Sequence, residues 1–286
     1  MKHLDDLYFW IAEREHIRNR KELGLPRPWT TDPILHEYRF CNVHREDDTV
    51  TRWIHENWLY PHMFDSNVQY AMIIARMVNH PDTLHELGYP TAWDPDHFMR
   101  VLSSRKSMGH KVWTTAYMIT GGYSKGGESK EVIIARVLTA AFDKLLKDPI
   151  VRGDTLAKAA VKIRSPGIGT FLVGQAIADI KHSDLLIGAD DWETWCAVGP
   201  GSTAGLNYLH DRPVATSLSD KQFQDEVLAI RELIFSEAGR DIDAQNVQNC
   251  LCEFSKYVRT KYYGGAPKSR YTPAKAAELL PPQPSR

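Results

Sequence analysis

Asp154-Thr-Leu-Ala-Lys-Ala-Ala-Val-Lys-Ile163, Arg164-Ser-Pro-Gly-Ile-Gly169, Thr170-Phe-Leu-Val-Gly-Gln-Ala-Ile-Ala-Asp-Ile-Lys-His182 is the stretch that decides the fold, and it reads helix, tight turn, helix. Leu156, Ala159, Ala160 and Ile163 recur at the spacing of one helix face, with Asp154 as the cap. Gly167 and Gly169 supply the positive φ and close backbone approach that a short turn demands. The amides of Gly169, Thr170 and Phe171 then open the second helix, where free N–H groups and the helix dipole favour a phosphate. Such a contact would position a DNA duplex without reading its sequence. The alternative is an ordinary αα-hairpin whose glycines serve packing only.

Outward from this hairpin, apolar residues keep helical spacing through most of the chain. One run, Ile133/Ile134, Val137/Leu138, Ala141/Phe142 and Leu145/Leu146, stops at Asp148-Pro149. The same periodicity predicts helices over about 4–22, 47–59, 66–80, 95–106, 108–119, 155–163, 170–181, 219–237 and 243–260. Irregular loops are expected over 81–95 and 210–219. Alternating strands are scarce and no repeat stands out. The expectation is an all-α fold, a single helical domain over 1–275 with a flexible Pro-rich tail over 276–286.

With 286 residues, 43% hydrophobic and 25% charged, the chain can bury a large core. Cys41, Cys196, Cys250 and Cys252 show no zinc spacing, and a reduced cytoplasmic setting follows as the expectation. No run of apolar residues is long enough to span a membrane, and the start lacks the order of a signal peptide. A net charge of −1 leaves nucleic-acid binding to local patches. One patch runs from Lys256 through Arg259, Lys261, Lys268, Arg270 and Lys275 to Arg286, opposed by Glu278 alone.

The Pro-Gly-x-Gly turn resembles the hairpin of the helix-hairpin-helix DNA glycosylase superfamily. That resemblance implies a catalytic aspartate a couple of dozen residues beyond the hairpin glycines, and Asp190 and Asp191 stand 23 and 24 residues beyond Gly167. They could equally form a capping box with Glu193 and start a helix over 192–197. Next comes Gly199-Pro-Gly-Ser-Thr-Ala-Gly205, read as a loop whose amides and hydroxyls, including Ser202, could cradle an oxyanion, or as a turn-rich connection. Gly121-Gly-Tyr-Ser-Lys-Gly-Gly-Glu-Ser-Lys130 lacks the Lys-Ser/Thr that must follow a P-loop glycine. Kinase chemistry is therefore not expected of it, although Lys125, Ser129 and Lys130 could hold phosphates.

Arg27-Pro-Trp-Thr-Thr-Asp-Pro-Ile-Leu-His-Glu-Tyr-Arg-Phe-Cys-Asn-Val-His-Arg-Glu-Asp-Asp-Thr-Val-Thr-Arg-Trp53 resembles the 5-hydroxymethyluracil DNA kinase helical domain and the alpha-glutamyl/putrescinyl thymine pyrophosphorylases. Matching motifs follow in order: Thr120 to Lys130, the hairpin, Gly199 to Asn207, Leu251-Cys-Glu-Phe-Ser-Lys-Tyr-Val-Arg259 and Gly264-Gly-Ala-Pro-Lys-Ser-Arg-Tyr271. The resemblance implies a phage protein of thymine hypermodification. In that chemistry a kinase converts a hydroxymethyl group in DNA to a pyrophosphoryl ester, and a helical partner replaces pyrophosphate with an amine. Lacking the kinase P-loop, this chain is expected to be the transferase. Its partners would be double-stranded DNA, an amine co-substrate and a DNA-base kinase, with no cofactor and no metal required.

Expelling pyrophosphate builds negative charge that fixed cations stabilise, and Arg39, Arg45, Lys256 and Arg259 are the candidates. An attacking amine must lose a proton, for which Asp191 is the first candidate base, with Asp190, Glu46 and Asp48 behind it. Asn42 could bond the uracil edge or the phosphates, and Tyr38 or Trp53 could stack on an extruded base. Gly167, Gly169, Thr170, Lys130 and Ser202 are the candidate DNA contacts. The bland alternative makes residues 45–52 a solvated helix face with i,i+4 ion pairs, and the tryptophans core. Two rival functions remain: a glycosylase that cleaves a modified base, and a non-catalytic DNA-binding subunit of a kinase.

Overall fold

The computed structural model describes residues 1–114, 127–267 and 269–271. Part of the glycine-rich run (121–126), Thr120, the basic residues Lys268, Lys275 and Arg286, and the expected tail over 276–286 lie outside the described residues. The fold is all-α. Among the described residues, pairing outside helices is confined to two isolated bridges, Tyr38 with Arg270 and Ser165 with Ile168. Among the described residues no helix is long and apolar enough to cross a membrane.

The chain divides into two compact units, one from Met1–Thr49 and Glu193–Leu280, the other centred on Val50–Trp192. The first holds α1 (Leu4–Glu22), α2 (Pro33–Glu37), α10 (Pro200–Leu209), α11 (Asp220–Ala238) and α12 (Ala244–Tyr263). Its axis is α12, which buries Val247, Cys250, Leu251, Phe254 and Tyr257 against Leu7, Trp10, Phe223 and Ile230. Asp32 caps α2 through Leu35 N–H at 2.8 Å, and its other oxygen accepts from the Tyr257 hydroxyl at 2.9 Å, so one carboxylate both starts α2 and ties it to α12. The run 199–205 is not a loop. Pro200 opens α10 at its first turn, and the glycines let it press on α12: a Cβ at Gly205 would lie 2.4 Å from the Leu251 carbonyl oxygen.

The second unit holds α3 (Thr49–Ile54), which continues as a π turn (His55–Leu59), then α4 (Val68–Val78), α5 (Pro81–Leu87), α6 (Pro95–Ser107), α7 (Lys130–Lys147), α8 (Leu156–Ile163) and α9 (Thr170–Ile180). Met72, Leu138, Phe142, Ile163 and Ile177 are among its buried side chains. Two expectations are corrected here. Residues 81–87 form a helix rather than a loop, because Pro81 sits at the first position where its missing N–H costs nothing. Residues 108–114 are not helical; α6 stops at Ser107 and Gly109 turns the chain at φ 76°. Residues 115–119 of that expected helix lie outside the described residues.

Candidate active site

The two sequence signatures at the ends of the chain meet in the first unit. Residues 40–48 fold back on themselves: the Asn42 N–H donates to Asp48 Oδ1 at 3.1 Å, and its side-chain amide donates to the Asp47 carbonyl at 2.9 Å. Arg14 of α1 holds this loop from behind, donating to the carbonyls of Phe40 and Cys41 and to Asn42 Oδ1 at 3.1–3.2 Å. On its other side stands α12. Asn246 Oδ1 accepts from the Arg45 N–H at 2.9 Å while its amide donates to Glu46 at 3.2 Å and to Asp243 at 2.9 Å. Asn249 donates to the Asn42 carbonyl at 3.2 Å, and Glu253 accepts from the Cys41 N–H at 3.3 Å while pairing with Lys256.

This wraps Asn42, Arg45, Glu46, Asp48 and Lys256 into one polar cluster with Glu253. Arg45 and Glu253 are buried, and Lys256 is partly open to solvent. Burial pushes the Asp48 carboxyl up to about 6, against the Asn42 amide and Arg45, with the Glu253 charge adding to the rise. Burial alone would lower Lys256, but the neighbouring Glu253 carboxylate holds its ammonium above the ordinary value. Cys252, one turn from Lys256, is pushed by burial up to about 11. The arrangement thus offers a carboxyl that titrates near neutrality beside fixed cations.

Other candidates lie elsewhere. Arg39 is exposed on an extended segment whose N–H bonds the Ser269 carbonyl at 3.0 Å, and the Tyr38 ring lies 6.0 Å beneath the Arg270 guanidinium. Arg259 is exposed, with its stem packed on Gly265. Ser202 is fully buried in α10, bonded to the Gly199 carbonyl and the Gln248 amide, each at 3.0 Å, so its hydroxyl does not face solvent. Among the described residues of the basic patch, Lys261 pairs with Asp6 and Arg270 with Glu37.

The second unit carries the hairpin. Gly167 has φ 91°, and a Cβ there would lie 2.7 Å from a Val137 methyl, so it supplies both the positive φ and the close approach. Gly169 supplies neither: it is extended at φ −79° and faces open space. Gly169, Thr170 and Phe171 are exposed at the start of α9, where no side chain caps the helix. Lys130 opens α7 with its ammonium 4.3 Å from the Trp113 ring centroid.

Asp190 is exposed in a turn. Asp191 caps a helix, though not the one expected: residues 190–194 form turns, and its two oxygens accept from the Leu156 and Ala157 N–H groups at 2.6 and 3.0 Å. Sequence reasoning also missed Asp179. It is fully buried on α9, clasped by Arg76 through two bonds of 2.5 Å and by His55 at 3.0 Å. Burial alone would raise this carboxyl, but Arg76 and the His55 hydrogen bond hold it well below the usual carboxylate range.

The model of the family described as "5-hmdU DNA kinase, helical domain" matches residues 1–264. A protein of Bacillus phage SP10 named 5-hmdU DNA kinase is 25% identical over 290 residues, which cover 90% of this chain and 45% of that protein. The chain thus spans about half the length of this curated relative. No solved structure matches.

Proposed function

This chain belongs to the family of 5-hmdU DNA kinase helical domains, and on that premise we propose that it is a DNA base-modifying transferase. Its substrate is 5-(pyrophosphoryl)methyl-uracil in double-stranded DNA, and its co-substrate is an amine such as an amino acid or polyamine. The amine nitrogen forms a bond to the 5-methylene carbon. The carbon–oxygen bond to pyrophosphate breaks, its electron pair leaving with the pyrophosphate oxygen, and the amine's surplus proton passes to a carboxylate.

The observation that carries this reading is the joining of Asp48, Arg45 and Lys256 in one cluster around Asn42, Asn246 and Glu253. A base must be ionised before reaction and able to hold a proton afterwards, and a carboxyl titrating at about 6 meets both demands near neutral pH. Asp191 is less suited, because both its oxygens are already engaged by helix amides. Lys256 and Arg45 take the charge of the departing pyrophosphate. In the second unit the exposed start of α9 gives the duplex a phosphate contact.

The name of the phage relative, and the 45% of it that this chain covers, favour a second reading in which the chain is the DNA-holding part of a DNA-base kinase. Mass spectrometry of nucleosides separates them. DNA bearing the pyrophosphorylated base is incubated with the protein and a mixture of amino acids and polyamines. An aminomethyl nucleoside is the expected product; unchanged DNA that is nonetheless bound supports the kinase subunit; a free base supports a glycosylase.

A further inference from the structure

The chain leaving α2 becomes extended at Tyr38 and pairs antiparallel with residues 269–271: Arg39 N–H bonds the Ser269 carbonyl at 3.0 Å and Tyr271 N–H bonds the Glu37 carbonyl at 2.9 Å. This bridge walls an open groove of about 470 Å³ lined by Arg27, Pro33, His36, Glu37, Arg270 and Tyr271. Arg27 is stacked in it. Its guanidinium carbon lies 4.4 Å from the Tyr271 ring centroid and 5.5 Å from that of Trp29, and its Nη2 donates to the His36 carbonyl at 3.0 Å. Among the described residues Arg27 has no carboxylate partner. Arg270 is 72% exposed and pairs with Glu37, itself 46% exposed, at 3.3 Å, over the Tyr38 ring, while Arg39 is exposed on the same bridge.

From this geometry we infer that the groove is a DNA contact in the first unit, in which Arg27 and Arg270 grip a backbone phosphate of the duplex. The inference rests on the reading that this chain acts on DNA, and it adds a contact separate from both the hairpin and the Asp48 cluster. A stacked guanidinium presents its N–H fork without having to be ordered on binding, and that fork matches two phosphate oxygens. The one carboxylate in the groove is exposed and already paired, so it can be screened as the phosphate enters. The contact would be blind to sequence, as phosphate contacts are.

The test is the salt dependence of duplex binding, measured by fluorescence anisotropy on the full chain. Wild type is compared with Arg27→Gln/Arg270→Gln and with Lys221→Gln, which removes a cation that is 85% exposed and paired to Asp225 on α11. Each lost phosphate contact lowers the slope of log K against log salt by about 0.9, so the double variant is expected to lose about 2 units of slope and Lys221→Gln none. Arg270→Gln alone, at an exposed position, keeps the test valid where the double variant is unstable, with a loss of about 1. A slope unchanged in these variants while wild type binds duplex overturns the groove and leaves the DNA reading standing. Absence of duplex binding by wild type overturns both. Inorganic pyrophosphate that competes with DNA in wild type and not in the double variant, with no change of slope, would make the groove an anion subsite and overturn the DNA contact.

Discussion

Asp191 Oδ1 lies 2.6 Å from the backbone nitrogen of Leu156, and its other oxygen accepts from Ala157, so a side chain 35 positions away closes the start of α8. Thr155 caps the same helix through the Lys158 N–H at 3.1 Å. Removing a cap costs about 0.5–2 kcal/mol, and a carboxylate on two amides lies toward the upper end. Asp191→Ala should therefore lower stability by about 1–2 kcal/mol in urea denaturation. An unchanged midpoint would contradict the capping role.

Asp179 and Arg76 form a buried pair, and breaking such a pair from one side costs about 3–5 kcal/mol because the other charge is left without compensation. Asp179→Asn is expected to lose that much in urea denaturation. The folded carboxyl is depressed, so its stabilisation is present above the ordinary carboxylate range and is lost as pH falls towards the folded value. The acid side of the stability profile should accordingly flatten in Asp179→Asn, and an identical acid profile would count against the pair.

Asp48 behaves in the opposite sense. Its folded value of about 6 exceeds the ordinary value of 3.8, so between these two values the native state holds more proton than the unfolded chain and this group's contribution to stability falls as pH rises. Activity should run the other way, rising through about pH 6 as the base ionises. Asp48→Asn is expected to lower turnover by about 10²–10⁴-fold with DNA affinity retained. A pH–rate profile flat through that region would remove Asp48 from the chemistry.

Gly205 lets α10 and α12 touch. Gly205→Ala forces a methyl to within 2.4 Å of the Leu251 carbonyl oxygen, and overpacking of this kind costs about 1–3 kcal/mol. Gly188→Ala, where nothing lies within 4 Å, should stay within about 0.5 kcal/mol of wild type. Thermal unfolding of the two variants checks the contrast.

Local signals in the sequence were sufficient for the helices that have them. The hairpin could be read because Gly167 needs a positive φ that other residues avoid, and α7 because its apolar period and its stop at Asp148-Pro149 are local. Long-range partners were not legible. Asp191 sits in a capping pattern for a following helix, yet caps α8 through a contact that no spacing announces. On α12, Asn246, Asn249 and Glu253 look like a solvated face; they are polar because loop 40–48, two hundred residues earlier in the chain, is bonded there. The glycines of 199–205 looked like a loop because the sequence does not show the helix they make room for. Arg45, Asp48 and Lys256 are candidates for the chemistry that the family resemblance implies, but only the fold joins them and separates them from Arg39.

The most direct test of the displacement chemistry is its stoichiometry. DNA carrying 5-(pyrophosphoryl)methyl-uracil is incubated with the protein and an isotopically labelled amine, and released pyrophosphate is counted against amine fixed in DNA. Displacement predicts one pyrophosphate released for each amine incorporated, with both lost together in Asp48→Asn. Pyrophosphate released without amine incorporation, or neither event on DNA that the protein binds, would contradict it.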